Sequence, residues 1–220
     1  MNALLLGSIG TLADTSELQR EAFNAAFRAH DLPWDWDRET YRDMLREAGG
    51  ARRIAAQAQA EGREVDAAAI HSTKSRIFQD YLDAGRAEIR PGVIDLIANA
   101  RASDVPLGFV TTTERANVDR LLAALDLDAS IFSVVTARED VDAPKPNPEC
   151  YLRAAATLGV DPSACIAVED NADGVRAALA AGTTCYAWPN ANTAGHDFEG
   201  ARVVSGDIDQ AISPTEIAAA

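Results

Sequence analysis

The sequence predicts an α/β protein, a parallel sheet covered by helices on both faces with a four-helix block inserted after the first strand. Two observations carry this. From residue 90 onward, short apolar runs alternate with helix-length amphipathic segments, the pattern of βαβ units. Residues 16–86 instead repeat their apolar positions at three- and four-residue intervals between Gly, Pro and Asp breaks. With 220 residues, 47% hydrophobic and 25% charged, the chain has material for one large domain or a core with a smaller insert.

In order, "NALLL" is a short apolar run ending at Gly7, read as a buried first strand. Four helical stretches follow: "SELQREAFNAAFRAH", "DRETYRDMLREA", "GARRIAAQAQAEG" and "VDAAAIHSTKSRIFQDYLDAG". After "RPGV", helix "GVIDLIANARAS" precedes strand "PLGFVT", and "ERANVDRLLAALDL" precedes "IFSVVT". Helix "PECYLRAAATLGV" precedes "ACIAVED", "DGVRAALAAG" precedes "TTCYAW", and "ARVVSG" reads as a last edge strand before an Ala-rich tail. The first strand must join the later sheet, because alone it cannot bury its faces. The core is therefore assigned to residues 1–14 and 87–220, and the helical cap to residues 15–86. The cap stands over the C-terminal strand ends, where open α/β sheets bind ligands.

A formal charge of −14 argues against a nucleic-acid or anionic-membrane surface, so an anionic ligand needs a local positive pocket. Cys150, Cys165 and Cys185 lie in or beside apolar segments at no metal-ligand spacing, and their odd number fits free thiols in a reducing cytoplasm. No basic segment precedes an apolar stretch at Met1, and no run approaches the ~18 apolar residues of a spanning helix.

Four strand ends converge on one place: "GSIGT", "VTTT", "APKPNPE" and "VEDNADG". Taken singly, Thr111 reads as a helix cap, Lys145 as a solvated loop charge, and Glu169 with Asp170 as a cap of the next helix. Together they supply what a phosphate and a divalent cation need. The hydroxyls of Thr111 and Thr112 and the Lys145 ammonium suit phosphate oxygens, and the Glu169 and Asp170 carboxylates suit Mg²⁺.

The stretches "GTLADT", "VTTTERANV", "APKPNPECYLRAAATLGV" and "AVEDNADGVRAALAAG" resemble the four motifs of the haloacid dehalogenase superfamily. The cap segments "QREAFNAAF", "LPWDWDRETYRDML", "GGARRI" and "HSTKSRIFQDYLDAG" resemble the CbbY-type sugar-phosphate phosphatases and their beta-phosphoglucomutase and phosphoglycolate phosphatase relatives. The resemblance implies a Rossmann-like core, a mobile helical cap, Mg²⁺ and phosphoryl transfer through an aspartyl-phosphate. Under it, Thr111 matches the phosphate-binding hydroxyl, Lys145 the bridging lysine, and Glu169 and Asp170 the acidic metal pair. The first motif reads Asp-x-Asp-Gly-Thr in the family, which puts Gly7 at the nucleophile and Ile9 at the general acid/base. Gln19 stands where the cap hinge commonly has His, and Ala51 where the cap has a lysine.

Arg52 and Arg53 are candidate substrate contacts from the cap, the alternative being a solvated helix face. His71 and His196 read as surface or structural. Ser8 should face away from the positions of Gly7 and Ile9, since strand side chains alternate; Thr11 and Asp14 belong to the turn and the cap linker. The resulting expectation is a degenerate homologue that binds a small phosphorylated metabolite or inorganic phosphate, with a weakened Mg²⁺ site. The alternatives are a weak or rerouted Mg²⁺-dependent phosphohydrolase, and a relic in which Lys145 only pairs with Glu169 or Asp170.

Overall fold

The computed structural model describes residues 2–46 and 49–219. Its strands are β1 (Ala3–Leu6), β2 (Leu107–Val110), β3 (Val134–Thr136), β4 (Cys165–Glu169), β5 (Thr184–Ala187) and β6 (Arg202–Val203). They form one parallel sheet in the order β3-β2-β1-β4-β5-β6. Leu4 stands in register with Leu107 on one side and Ile166 on the other, so the first strand is central and both of its edges are hydrogen-bonded.

Between β1 and β2 run α1 (Ile9–Leu12), α2 (Ser16–Ala29), α3 (Arg38–Met44), α4 (Gly50–Ala60), α5 (Ala67–Asp83) and α6 (Val93–Ala102). The remaining helices are α7 (Arg115–Ala124), α8 (Glu149–Leu158), α9 (Ala172–Ala180), α10 (Ile208–Ala211) and α11 (Pro214–Ala219). Strand alternation divides the core in two. Leu4, Leu6, Phe109 and Val168 pack on one face with Leu96 of α6 and Leu121 of α7. Leu5, Ala167 and Cys185 pack on the other with Tyr151 and Ala154 of α8 and Val175 of α9. All three cysteines are buried and free.

Helices α2 to α5 gather around a third cluster of Phe23, Phe27, Trp34, Trp36, Tyr41, Ile54 and Ile70. Trp36 meets Phe27 edge-on at 4.7 Å, a geometry worth about 0.5–1.5 kcal/mol beyond area burial. Asp37 caps α3 through Thr40 N–H, and Asp66 caps α5 through Ala69 N–H, so each helix start satisfies a backbone donor that would otherwise be orphaned. The last two residues of the "DRETYRDMLREA" stretch, 47 and 48, lie outside the described residues.

Two departures from the sequence pattern matter. Directly after β1 the backbone turns into the single turn α1, too short to show a period. At the other end the Ala-rich tail is helical, and Ile212 and Ile217 are buried in the first core face. Chain segments entering and leaving the helical block cross at an Ala13–Ile89 bridge. Beside it, Arg90 donates to the carbonyls of Gly10, Trp188 and Pro189 and lies 3.3 Å over the Trp188 ring, holding the α1 turn against the end of β5. No helix among the described residues is long and apolar enough to cross a membrane.

Candidate functional site

A cleft of about 510 Å³ opens between the C-terminal strand ends and helices α2, α4 and α5. Its wall carries Arg52, Arg53, Lys74, Arg138 and Lys145 against Glu114, Asp170 and Asp173. Within a chain of formal charge −14 this is a locally basic concavity, which attracts anions.

The sheet end begins at Ser8, the N-cap of α1, whose Oγ accepts from Gly10 N–H and donates to Asp170 Oδ1. Ser8 therefore faces the cleft, contrary to the strand-alternation argument, because β1 ends at Leu6 and the period of two ends with it. Gly10 brings the backbone so near Asp170 that an added Cβ would overlap its carboxyl. Asp170 also accepts from Asn171 Nδ2 at 2.8 Å and from Asn190 Nδ2 at 3.5 Å. Thr111, Thr112 and Thr113 line the neighbouring wall, with Thr111 Oγ1 accepting from Thr113 N–H.

Lys145 lines the cleft and is almost fully buried. Its Nζ donates to the carbonyls of Gly7 and Val110 at 2.8 Å each and to Glu169 Oε1 at 2.5 Å, which uses all three ammonium protons. Glu169 is fully buried and also accepts from Tyr151 Oη at 2.6 Å. Burial raises its carboxyl above the usual range, with Lys145 acting the other way.

At the helical end, Lys74 is 4% exposed, donates to Gln19 Oε1 at 3.0 Å and lies 4.9 Å over the rings of Phe23 and Phe78. Burial, with Arg53 nearby, lowers its amine to about 7. Arg53 sits 5.8 Å from the Phe23 ring and 5.9 Å from the Tyr41 ring, while Arg52 is exposed at the rim. Ser75 Oγ and His71 Nδ1 both reach Glu114 of the sheet side, at 3.1 and 3.8 Å, and burial and Lys74 lower the imidazole. His71 thus lines the cleft. His196 is structural, its Nδ1 accepting from Ala172 N–H at the start of α9.

The sequence profile of haloacid dehalogenase-like hydrolases matches residues 3–182. The chain belongs to that family. It is 40% identical over 206 residues to protein CbbY of Rhodobacter capsulatus, covering 91% of each chain, and 38% identical to protein CbbY of Cereibacter sphaeroides, covering 91% and 90%. Among solved structures it resembles CbbY of Rhodobacter sphaeroides in complex with phosphate, at 36% identity and a TM-score of 0.84 over 93% of this chain and 94% of that one. An aspartate-to-asparagine mutant of the same relative, in complex with xylulose-(1,5)bisphosphate, matches at 37% identity with the same TM-score and coverage.

For a haloacid dehalogenase-like chain, the placement of the motif residues is uneven. Thr111, Thr112, Lys145, Asp170, Gln19, Arg52 and Arg53 all line the cleft, as do Ile9 and Ala51. Gly7 and Glu169 do not. A Cβ built on Gly7 would overlap the Glu169 carboxyl and fall 2.5 Å from Tyr151 Oη, so that carboxyl fills the space beside Gly7. Gln19 spends its amide on Thr15 and Lys74.

The donor set does not fit a divalent cation. Of the acidic pair only Asp170 stands on the cleft wall, where its oxygens already accept three protein donors; Asp173 beside it is paired with Arg176 at 2.6 Å, and Glu169 is turned into the core against Tyr151 of α8. Among the described residues no cluster of three or more His, Cys, Asp or Glu stands close enough to hold a metal ion.

Sequence reasoning missed Lys74 and Tyr151. Lys74 had a usable signal: it interrupts the buried row Ile70, Phe78, Leu82 at four-residue spacing, where a solvated lysine has no place. Tyr151 had none, since an aromatic residue on an amphipathic helix reads as core.

Proposed function

We propose that this chain is a haloacid dehalogenase-like protein that binds a small phosphorylated metabolite, a sugar bisphosphate or inorganic phosphate, without efficient aspartyl-phosphate chemistry. The observation that carries the reading is the basic cleft in an acidic chain, five cationic side chains facing three carboxylates. In this reading one anionic group sits by Thr111 and Thr112 and a second by Arg53 and Lys74, which line the same cleft. The relatives captured with phosphate and with xylulose-(1,5)bisphosphate support that ligand class. In this reading residues 1–14 and 87–220 are the core, residues 15–86 the cap, and the three free thiols fit a reducing cytoplasm.

The chemistry is limited by the first motif. Neither Gly7 nor Ile9 can accept a phosphoryl group or move a proton, and losing a covalent nucleophile costs on the order of 10⁴ to 10⁶ in turnover. Hydrolases of this family generally depend on Mg²⁺; of the motif's acidic pair only Asp170 lines this cleft, and the neighbouring Asp173 is paired with Arg176 at 2.6 Å. What the chain's own residues do is bind and orient: the threonines offer hydroxyls, Arg53 and Lys74 offer charge, and helices α2, α4 and α5 cover the ligand from water.

One observation favours the alternative of a weak, rerouted hydrolase. Ser8 Oγ donates to Asp170 at the cleft wall, the arrangement of an alcohol beside a carboxylate base. The test is a pair of assays on xylulose 1,5-bisphosphate and p-nitrophenyl phosphate: calorimetric binding, and phosphate release compared with Ser8→Ala. Binding with equal, near-blank release from both proteins supports the proposal. Release well above blank that Ser8→Ala abolishes establishes the alternative, and no binding removes both.

A further inference from the structure

The Glu169 carboxyl lies where a side chain at residue 7 would be, and the consequence reaches beyond lost catalysis. We propose that Glu169 substitutes internally for the missing residue 7 side chain, and that the cleft therefore takes its phosphorylated ligand without a divalent cation. The inference rests on the phosphate-binding reading above and deepens it.

Three observations combine. First, Gly7 is not beside a void: an added Cβ would overlap Glu169 Cδ and Oε1, and the opposite side of the same carboxyl abuts Gly174 in the same way. Glycine at both positions makes room for a carboxylate that has turned inward. Second, that carboxylate gives Lys145 its countercharge at 2.5 Å, with both groups at most 5% exposed along the side chain. A buried ammonium without a counterion is strongly unfavourable, so the pair cancels charge inside the core; Glu169 Oε1 takes both donors, Lys145 and Tyr151, while Oε2 is buried without a hydrogen-bond partner among the described residues, against Gly174, which does not line the cleft. Third, Asp170 accepts from Ser8, Asn171 and Asn190, so a cation arriving there would have to displace three neutral donors for one carboxylate.

The electrostatics point the same way. A divalent cation earns its place in a phosphate site by offsetting repulsion between phosphate and clustered carboxylates. Here no acid stands at residue 7 or 9, and Glu169 is neutralised inside the core. The incoming dianion meets Arg52, Arg53, Lys74 and Arg138 on a wall that also carries Glu114, Asp170 and Asp173, so the protein's own cations supply the offset.

The wild-type protein is titrated calorimetrically with inorganic phosphate and with xylulose 1,5-bisphosphate, once in EDTA and once in millimolar Mg²⁺. Affinities equal within about twofold mean a coupling free energy near zero and support the proposal. A gain of about tenfold or more in Mg²⁺ overturns it while leaving the phosphate-binding reading intact. Absence of binding in both buffers overturns that reading itself, and the inference with it. The double exchange Gly7→Asp with Glu169→Ala supplies the converse: moving the acid to residue 7 should make bisphosphate affinity rise with Mg²⁺, and a folded double variant that stays indifferent to Mg²⁺ counts against internal substitution.

Discussion

Lys145 at the sheet end of the cleft and Lys74 at its helical end are similarly buried amines, 6% and 4% exposed, kept in opposite company. Lys145 meets a carboxylate and two carbonyls, so its charge is cancelled within the protein. Lys74 meets the neutral amide of Gln19 and two aromatic faces, and its amine falls to about 7. The difference separates structural from recruitable charge. A cation paired to an acid holds the fold together, whereas one held by a dipole and ring faces remains able to answer an incoming anion.

The comparison can be broken most forcefully at Glu169. Glu169→Gln leaves the Lys145 ammonium buried beside a neutral amide, and urea denaturation should show a loss of about 3–5 kcal/mol. A loss below about 1 kcal/mol would mean the pair is not structural. Gly7→Ala should come next, at about 1–3 kcal/mol, since its Cβ enters a space held by the Glu169 carboxyl and the Tyr151 phenol. A neutral alanine would show that this space yields freely.

At the other end the effect moves from stability to binding. Lys74→Met removes a buried charge that has no hydrogen-bonded carboxylate, only the more distant Glu114, so stability should hold or rise, while bisphosphate affinity should fall about tenfold, or about 1.4 kcal/mol. An unchanged affinity would place the second anionic group elsewhere. The pH dependence has a definite sign. Between pH 7 and 10.5 the unfolded chain holds a proton on this amine that the folded chain has released, so its contribution to stability rises with pH there and is lost as pH falls through about 7. Binding runs the other way: an anion favours the charged amine, so affinity should weaken above pH 7, with proton uptake visible in buffers of different ionisation enthalpy. Lys74→Met should flatten both trends. The smallest effect belongs to Arg52→Ala, an exposed rim residue whose loss should change binding by less than about 0.5 kcal/mol.

The order of elements was legible because each rests on local pattern: β4 is a continuous apolar run, and α5 repeats Ile70, Phe78 and Leu82 on one side. Convergence of Thr111, Lys145 and Asp170 followed from topology, since parallel strands deliver their C-terminal ends to one edge. What escaped was decided by packing at single atoms. The rotation of Glu169 into the core depends on the absence of side chains at Gly7 and Gly174, residues far apart in sequence, and no local period encodes such a coincidence. Ser8 was misdirected for a simpler reason: alternation was carried two residues past the end of β1.

Gly7 and Glu169 also set an order on how this chain can change by mutation. Acquiring an acid at residue 7 alone meets an occupied space, and giving up the acid at residue 169 alone strands an ammonium. Each single step is expected to lose stability that the pair of exchanges regains, so the two positions constrain one another. A laboratory selection for aspartyl-phosphate chemistry should therefore return exchanges at residues 7 and 169 together, alongside an acid at residue 9, with variants carrying only one of the first two rare among survivors.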